Sequence, residues 1–186
     1  MLVKLFNRRM PNILPAVLIC FVVAIGCGTS VAQTTSQPTN AVAQSDGQKA
    51  FEKMKTLIGS WQGTMAGKSI TFTVRLTSSG NAILHEANSS SPPPDHEITT
   101  FYVDGDRLLA THYCDGGNRV RWEGKLSPDG KTIEFSFLDV AGSTRTGFVK
   151  RTAFTLADAN KQIVELTFVM PDGKPVELRG EFERTK

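Results

Sequence analysis

Cysteine is nearly missing from this chain: 186 residues carry three. Two of them, Cys20 and Cys27, fall in one apolar stretch near the start. Cys114 then stands alone in the body of the chain, which excludes an intrachain disulfide there and leaves stability to a hydrophobic core. Long hydrophobic runs are scarce as well. "ILPAVLICFVVAIGC", Ile13 to Cys27, is too short and wrongly flanked for a membrane span. Behind the basic Lys4, Arg8 and Arg9 it reads as the core of an export signal over residues 1–32. Ser30-Val31-Ala32 offers small residues to a signal peptidase, making Gln33 the expected mature start; the rival reading lipidates Cys27 as an anchor. The expected location is therefore the periplasm or the medium, with no transmembrane span in the mature chain.

A surplus of one charge is lacking too. The whole chain has 21 Lys and Arg against 18 Asp and Glu. Three of the basic residues and none of the acidic ones lie in the signal, so 18 of each remain. The basicity belongs to the leader, and a nucleic-acid partner loses its main support. Nor is there a phosphate-cradling glycine loop, a serine-nucleophile elbow, or a pair of carboxylates at catalytic spacing. No catalytic residue is assigned.

What is present begins with "QTTSQPTNAVAQSDGQ", residues 33–48, polar and free of aromatics, which reads as a disordered linker. Residues 49–186 form the domain. Phe51, Met54, Leu57 and Ile58 recur at helical spacing, with Asp46 as the expected cap and Gly59 as the stop. From Trp61 onward the period is two. Ile70, Phe72, Val74 and Leu76 alternate with Thr71, Thr73 and Arg75, and "EITTFYV", "RLLATHYC", "KTIEFSFL", "GFVKRTAFTL", "QIVELTFVM" and "PVELRGEFER" follow. Pro92-Pro93-Pro94 makes a stiff loop, and Asp104-Gly105-Asp106, Gly116-Gly117-Asn118, Pro128-Asp129-Gly130 and Pro171-Asp172-Gly173 make turns. About ten strands joined by short turns predict an all-β, antiparallel up-and-down barrel with a short N-terminal helix. A two-sheet sandwich is the second choice.

The helix running into Gly59-Ser60-Trp61 resembles the calycin barrels: lipocalins, fatty-acid-binding proteins and the nitrobindin-like group. The resemblance implies that Trp61 plugs one barrel end against a late arginine, Arg184 or Arg179. "THYCDGGNRVRW" is similar to a narrower group of uncharacterised exported bacterial proteins with a lipocalin-like barrel. Their pattern His-Tyr-Cys-x-x-Gly-Asn-x-Pro-Arg matches at His112, Tyr113, Cys114, Gly117, Asn118 and Arg121, with Val120 in place of the proline. Where that group has Gly-His-Met, this chain has Gly147-Phe148-Val149. The resemblance covers residues from Phe51 to the end and implies a fold without an activity. Nitrobindin-like barrels bind haem through a late histidine, and no histidine follows His112 here. Taken residue by residue, the resemblance speaks against haem, with His112, His85 or Cys114 as the possible substitutes.

Three readings of function stay open. The leading one is an exported, non-catalytic protein that binds a small apolar or amphipathic molecule in the lumen. Phe72, Phe101, Phe135 and Phe137 would line it, with His112 and Cys114 beside them and Arg75 or Arg121 fixing a carboxylate. The second reading is chemical. His112 and Cys114 share a strand face, and with His85 they would hold zinc or copper, or form a Cys-His nucleophile pair. The third is a packed barrel serving as a protein-interaction module. The sequence does not fix the oligomeric state.

Overall fold

The computed structural model of the chain describes residues 43–90 and 94–185. The leader, most of the linker, Cys20, Cys27, Pro92 and Pro93 lie outside the described residues. Helix α1 spans Asp46–Lys55, so it takes in three residues assigned to the linker. Its cap is Ser45 rather than Asp46. The Ser45 hydroxyl accepts from the Gln48 amide at 3.2 Å, and the Gln48 side chain accepts from the Ser45 amide at 2.9 Å. This reciprocal box satisfies two backbone donors and leaves Asp46 in the first turn, where the helix dipole favours a carboxylate. The helix closes at Thr56, ahead of Gly59. No helix among the described residues is long and apolar enough to cross a membrane.

Ten strands follow: β1 Gly59–Met65, β2 Lys68–Thr77, β3 Ala82–Ser89, β4 His96–Asp104, β5 Arg107–Tyr113, β6 Asn118–Leu126, β7 Thr132–Gly142, β8 Phe148–Leu156, β9 Lys161–Val169 and β10 Pro175–Arg184. Each pairs antiparallel with its sequence neighbour, and β1 pairs with β10, so the sheet closes into a barrel without a free edge. Between β4 and β5 the turn has only two central residues. Gly105 at φ +60° supplies the left-handed backbone that such a tight hairpin needs.

Helix α1 packs against β4, β5, β6 and β7, and the Gly47 amide donates to Asp106 O at 3.0 Å. That contact puts the helix at the end of the barrel that carries the β4–β5 turn. A Cβ on Gly47 would meet Asp106 O at 2.5 Å, so the helix can approach only with glycine there. Ala50, Met54 and Leu57 face the barrel and are buried. Trp61 seals the same end. Its indole N–H donates to Leu57 O at 2.8 Å, and the Arg184 guanidinium lies 4.3 Å from its ring centre. Arg184 also donates to the carbonyls of Thr56, Ile58 and Ala159. Arg179 does not stack on Trp61; it pairs with Glu181 and Glu165.

The barrel wall is not uniform. The β7–β8 ladder stops after four pairs, at Phe135 and Thr152. Beyond it, inward side chains of β6 bridge the opening. Trp122 Nε1 donates to Val149 O at 3.2 Å, and Asn118 Nδ2 donates to Ser143 O and Gly147 O at 3.1 and 2.9 Å. The asparagine of the sequence motif is thus a clamp on the β7–β8 connection.

Inside the plugged half, Phe101, Phe135 and Phe154 fill the interior with centroids 5.1 to 6.0 Å apart. Gln162 of β9 is the exception among these apolar groups. It is fully buried, and neither amide atom has a hydrogen-bond partner among the described residues. An unpaired buried amide forfeits about 1–3 kcal/mol. Gln162→Leu is therefore expected to raise the urea midpoint, and a lowered midpoint would show that the amide is satisfied in solution.

Candidate binding site

The other half of the barrel is hollow. A cavity of about 120 Å³ lies between Met65, Ile70, Phe72, Ala87 and Leu166 on its apolar sides. Its polar end is made by His85, Glu97, Thr99 and His112. The β4–β5 hairpin builds most of that end. Thr99 pairs with His112 in register, and just past the end of the ladder the Cys114 thiol meets the Glu97 carboxyl. Thr99 Oγ1 lies 2.9 Å from His112 Nδ1. The imidazole stacks on Trp122 with centroids 5.1 Å apart. His112 Nε2 is buried without a hydrogen-bond partner among the described residues, 3.8 Å from a Glu97 oxygen. His85 stacks on Phe72 at 4.7 Å, farther along the same lumen.

Burial governs the charge states here. It holds His112 down to about 4, and it holds His85 down to about 4 with a further push from His112. Both rings are neutral at pH 7. Burial also raises the Glu97 carboxyl above its ordinary range. The Cys114 thiol is pushed up to about 12, first by burial and then by the acidic Glu97 and Asp115 beside it. A thiol so placed is not a thiolate nucleophile. The thiol donates to Glu97 Oε1 at 3.3 Å, not to an imidazole. The Cys-His nucleophile pair is thereby corrected: the carboxylate, not the histidine, is the partner of the sulfur.

The sequence-derived residues divide. Phe72, Phe101, His85 and His112 line the cavity, while Phe135 packs behind Phe101 and Cys114 stands at the mouth. Arg75 and Arg121 are outside. They pair with Glu86 and Asp139 on the outer wall, because they alternate with the inward Val74, Val120 and Trp122. Phe137 also leaves the cavity. It lies past the last β7–β8 pair, where the wall opens, and its ring packs at a tilt against Phe148, centroids 5.7 Å apart. No lumen arginine fork exists among the described residues. The expected His85–His112–Cys114 cluster is likewise replaced. The three donors that converge are Glu97, His112 and Cys114, all within 4.8 Å of one another. Glu97 was missed, although the two-residue turn after Asp104 brings it beside Cys114.

A closed, ten-stranded, antiparallel barrel fits the calycin, lipocalin-like architecture. No protein-family model matches the sequence, and no curated protein does. Among solved structures, Rv2717c from M. tuberculosis superposes with a TM-score of 0.60 at 14% identity, over 74% of this chain and 98% of that one. The likeness is one of fold. A DUF3598-family protein of unknown function from Nostoc punctiforme is more distant, with TM-score 0.49, 16% identity, 71% of this chain and 49% of that one. So is EF1p2_mFAP2b bound to DFHBI, with TM-score 0.37, 12% identity, 73% of this chain and 99% of that one.

The enclosed part of the lumen is smaller than a haem. Pockets for drug-sized ligands span about 300–1,000 Å³. The 120 Å³ here is smaller than those, and a macrocycle is larger than most such ligands.

Proposed function

We propose that this chain is a non-catalytic binding protein for one small, mostly apolar molecule held in the open half of the barrel. The observation that carries the reading is the cavity. An engineered apolar cavity of about 150 Å³ holds benzene or xenon, and the 120 Å³ lumen belongs to that size class. Its sides are apolar, so burial of the ligand supplies the affinity. Its polar end, which includes His85 and Thr99, orients a single hydrogen-bonding group. Export of the protein is part of the proposal and is supported by the basic start and short apolar core of residues 1–32.

The test is stabilisation by small rings. Benzene and phenol are expected to raise the unfolding midpoint, by about 2.7 kcal/mol at a hundred times Kd, with phenol the tighter of the two. Palmitate gives no shift. Ala87→Phe, which places a ring in the cavity, is expected to abolish the response to both. Absence of any shift with benzene and phenol, or an undiminished shift in Ala87→Phe, would remove the reading.

A further inference from the structure

We infer that Glu97, His112 and Cys114 form a three-donor site for a zinc-like divalent cation at the mouth of the barrel. The inference rests on the lumen reading only for what fills the remaining coordination position. The donor types are one imidazole nitrogen, one sulfur and one carboxylate oxygen, the set that borderline-soft Zn²⁺ accepts. Bonds of about 2.0–2.3 Å at tetrahedral angles put neighbouring donors about 3.3–3.8 Å apart. Here Cys114 Sγ lies 3.3 Å from Glu97 Oε1, and His112 Nε2 lies 3.8 Å from the other carboxylate oxygen, Oε2. One donor atom from each of the three residues falls within 4.8 Å of the others, so a modest side-chain adjustment closes the set on an ion.

A second observation points the same way. His112 is 6% exposed, and its Nε2 has no partner among the described residues. A buried polar atom left unpaired is costly and rare. In the tautomer that donates Nδ1–H to Thr99 Oγ1 at 2.9 Å, Nε2 offers its lone pair toward Glu97 and Cys114. Zinc-bound histidines are usually held this way through their other nitrogen. Trp122 stacks on the same ring and fixes its plane.

The hairpin explains why the three residues meet. Thr99 and His112 pair across β4 and β5, and Glu97 is two residues along β4 from Thr99. Cys114 is the first residue past β5, where its amide donates to Asn118 O at 3.0 Å, so the donors sit on and directly beside one hairpin. Binding replaces the Cys114 S–H proton with the metal, and that proton leaves to solvent. Three protein donors leave a fourth position, as in sites that exchange a water or a small ligand. Two other carboxylates lie close. Asp115 Oδ1 is 3.6 Å from Cys114 Sγ, and Asp95 is held by Ser89 and Lys68.

The purified full chain, stripped with EDTA, is titrated with Co²⁺ and separately with Zn²⁺. The expected results are one metal per chain by native mass spectrometry and a thiolate-to-cobalt charge-transfer band in the near ultraviolet. Cys114→Ser is expected to abolish the band, and Glu97→Gln to weaken zinc binding at least tenfold. Thr99→Val should weaken it tenfold to a hundredfold through the lost orienting bond, a range typical of such partners. Asp115→Asn and His85→Gln keep the band. Circular dichroism of each variant separates lost binding from lost folding. A folded parent protein that takes up no zinc, or a band that survives Cys114→Ser, would overturn the site. The benzene response, which involves no metal donor, reads the lumen independently.

Discussion

Trp61→Ala is expected to destabilise the barrel by about 4 kcal/mol, within the range for truncating a buried aromatic. The indole is 1% exposed and closes one barrel end. Its removal empties a space bounded by Phe72, Leu57 and the Arg184 guanidinium. It also leaves Leu57 O without its indole donor. Collapse cannot fill the space, since Arg184 is tied to three carbonyls and a Cβ on Gly59 would stand 2.4 Å from its Nη1. A domain holds about 5–15 kcal/mol in all, so the variant would be at the edge of folding. Trp61→Phe keeps a ring beneath Arg184 and loses chiefly the bond to Leu57, so it should cost about 1–2 kcal/mol plus the lost volume. Urea unfolding of both variants, and of each combined with Arg184→Leu, measures the coupling between ring and guanidinium. A loss below about 1 kcal/mol in Trp61→Ala would show that the plug does not hold the barrel closed.

Most of this architecture was legible because its signals are local. Ile70, Phe72 and Val74 alternate with Thr71 and Thr73, and the glycine and proline turns punctuate the strands. Closure of β1 on β10 follows once the strand count and short turns are known. The site was less legible, for three separate reasons. Arg121 followed the alternation and lies outside; a carboxylate fork required the opposite parity, against the inward Val120 and Trp122. Phe137 obeys the alternation of its own strand, yet the β7–β8 ladder ends two residues before it. Where a ladder ends is set by the bulges at Arg121/Trp122 and Val149/Arg151 and by the long connection that Asn118 clamps, none of which has a period. Glu97 was readable from the hairpin register but carried no motif to draw attention to it. The cavity volume could not be read at all. It is the difference between the volume a ten-stranded wall encloses and the summed volume of its inward side chains, and a few methylenes decide it.

Acidification should unfold the barrel through its two lumen histidines, before the surface carboxylates take part. His85 and His112 each have a folded-state pKa of about 4, against 6.5 for the free side chain. The folded value is the lower one, so the unfolded chain binds more protons between pH 6.5 and 4. Stability is therefore fully present above pH 6.5 and falls as the pH drops through that window, by at most about 3 kcal/mol per imidazole. The physical cause is the same for both: a charged ring in this lumen loses its water. Glu97 acts in the opposite sense, because burial raises its pKa, and its contribution is lost as pH rises through that raised value. Exposed carboxylates whose pKa values are lowered by ion pairs, such as Asp139 with Arg121 and Glu181 with Lys161, add their losses only below the ordinary carboxylate range. In a Glu97→Gln background, which removes the opposing carboxyl, the window from pH 6.5 to 4.5 isolates the histidines. Urea midpoints measured there in EDTA should fall with a slope approaching two protons. His85→Phe, which keeps a ring on Phe72, should remove about one proton from that slope, and His112→Asn the other. A flat profile from pH 7 to 4.5, or a slope that persists in the double variant, would mean that the rings reach water when charged. The lumen would then be an open channel rather than a dry cavity, and its apolar walls could no longer supply the affinity on which small-molecule binding depends.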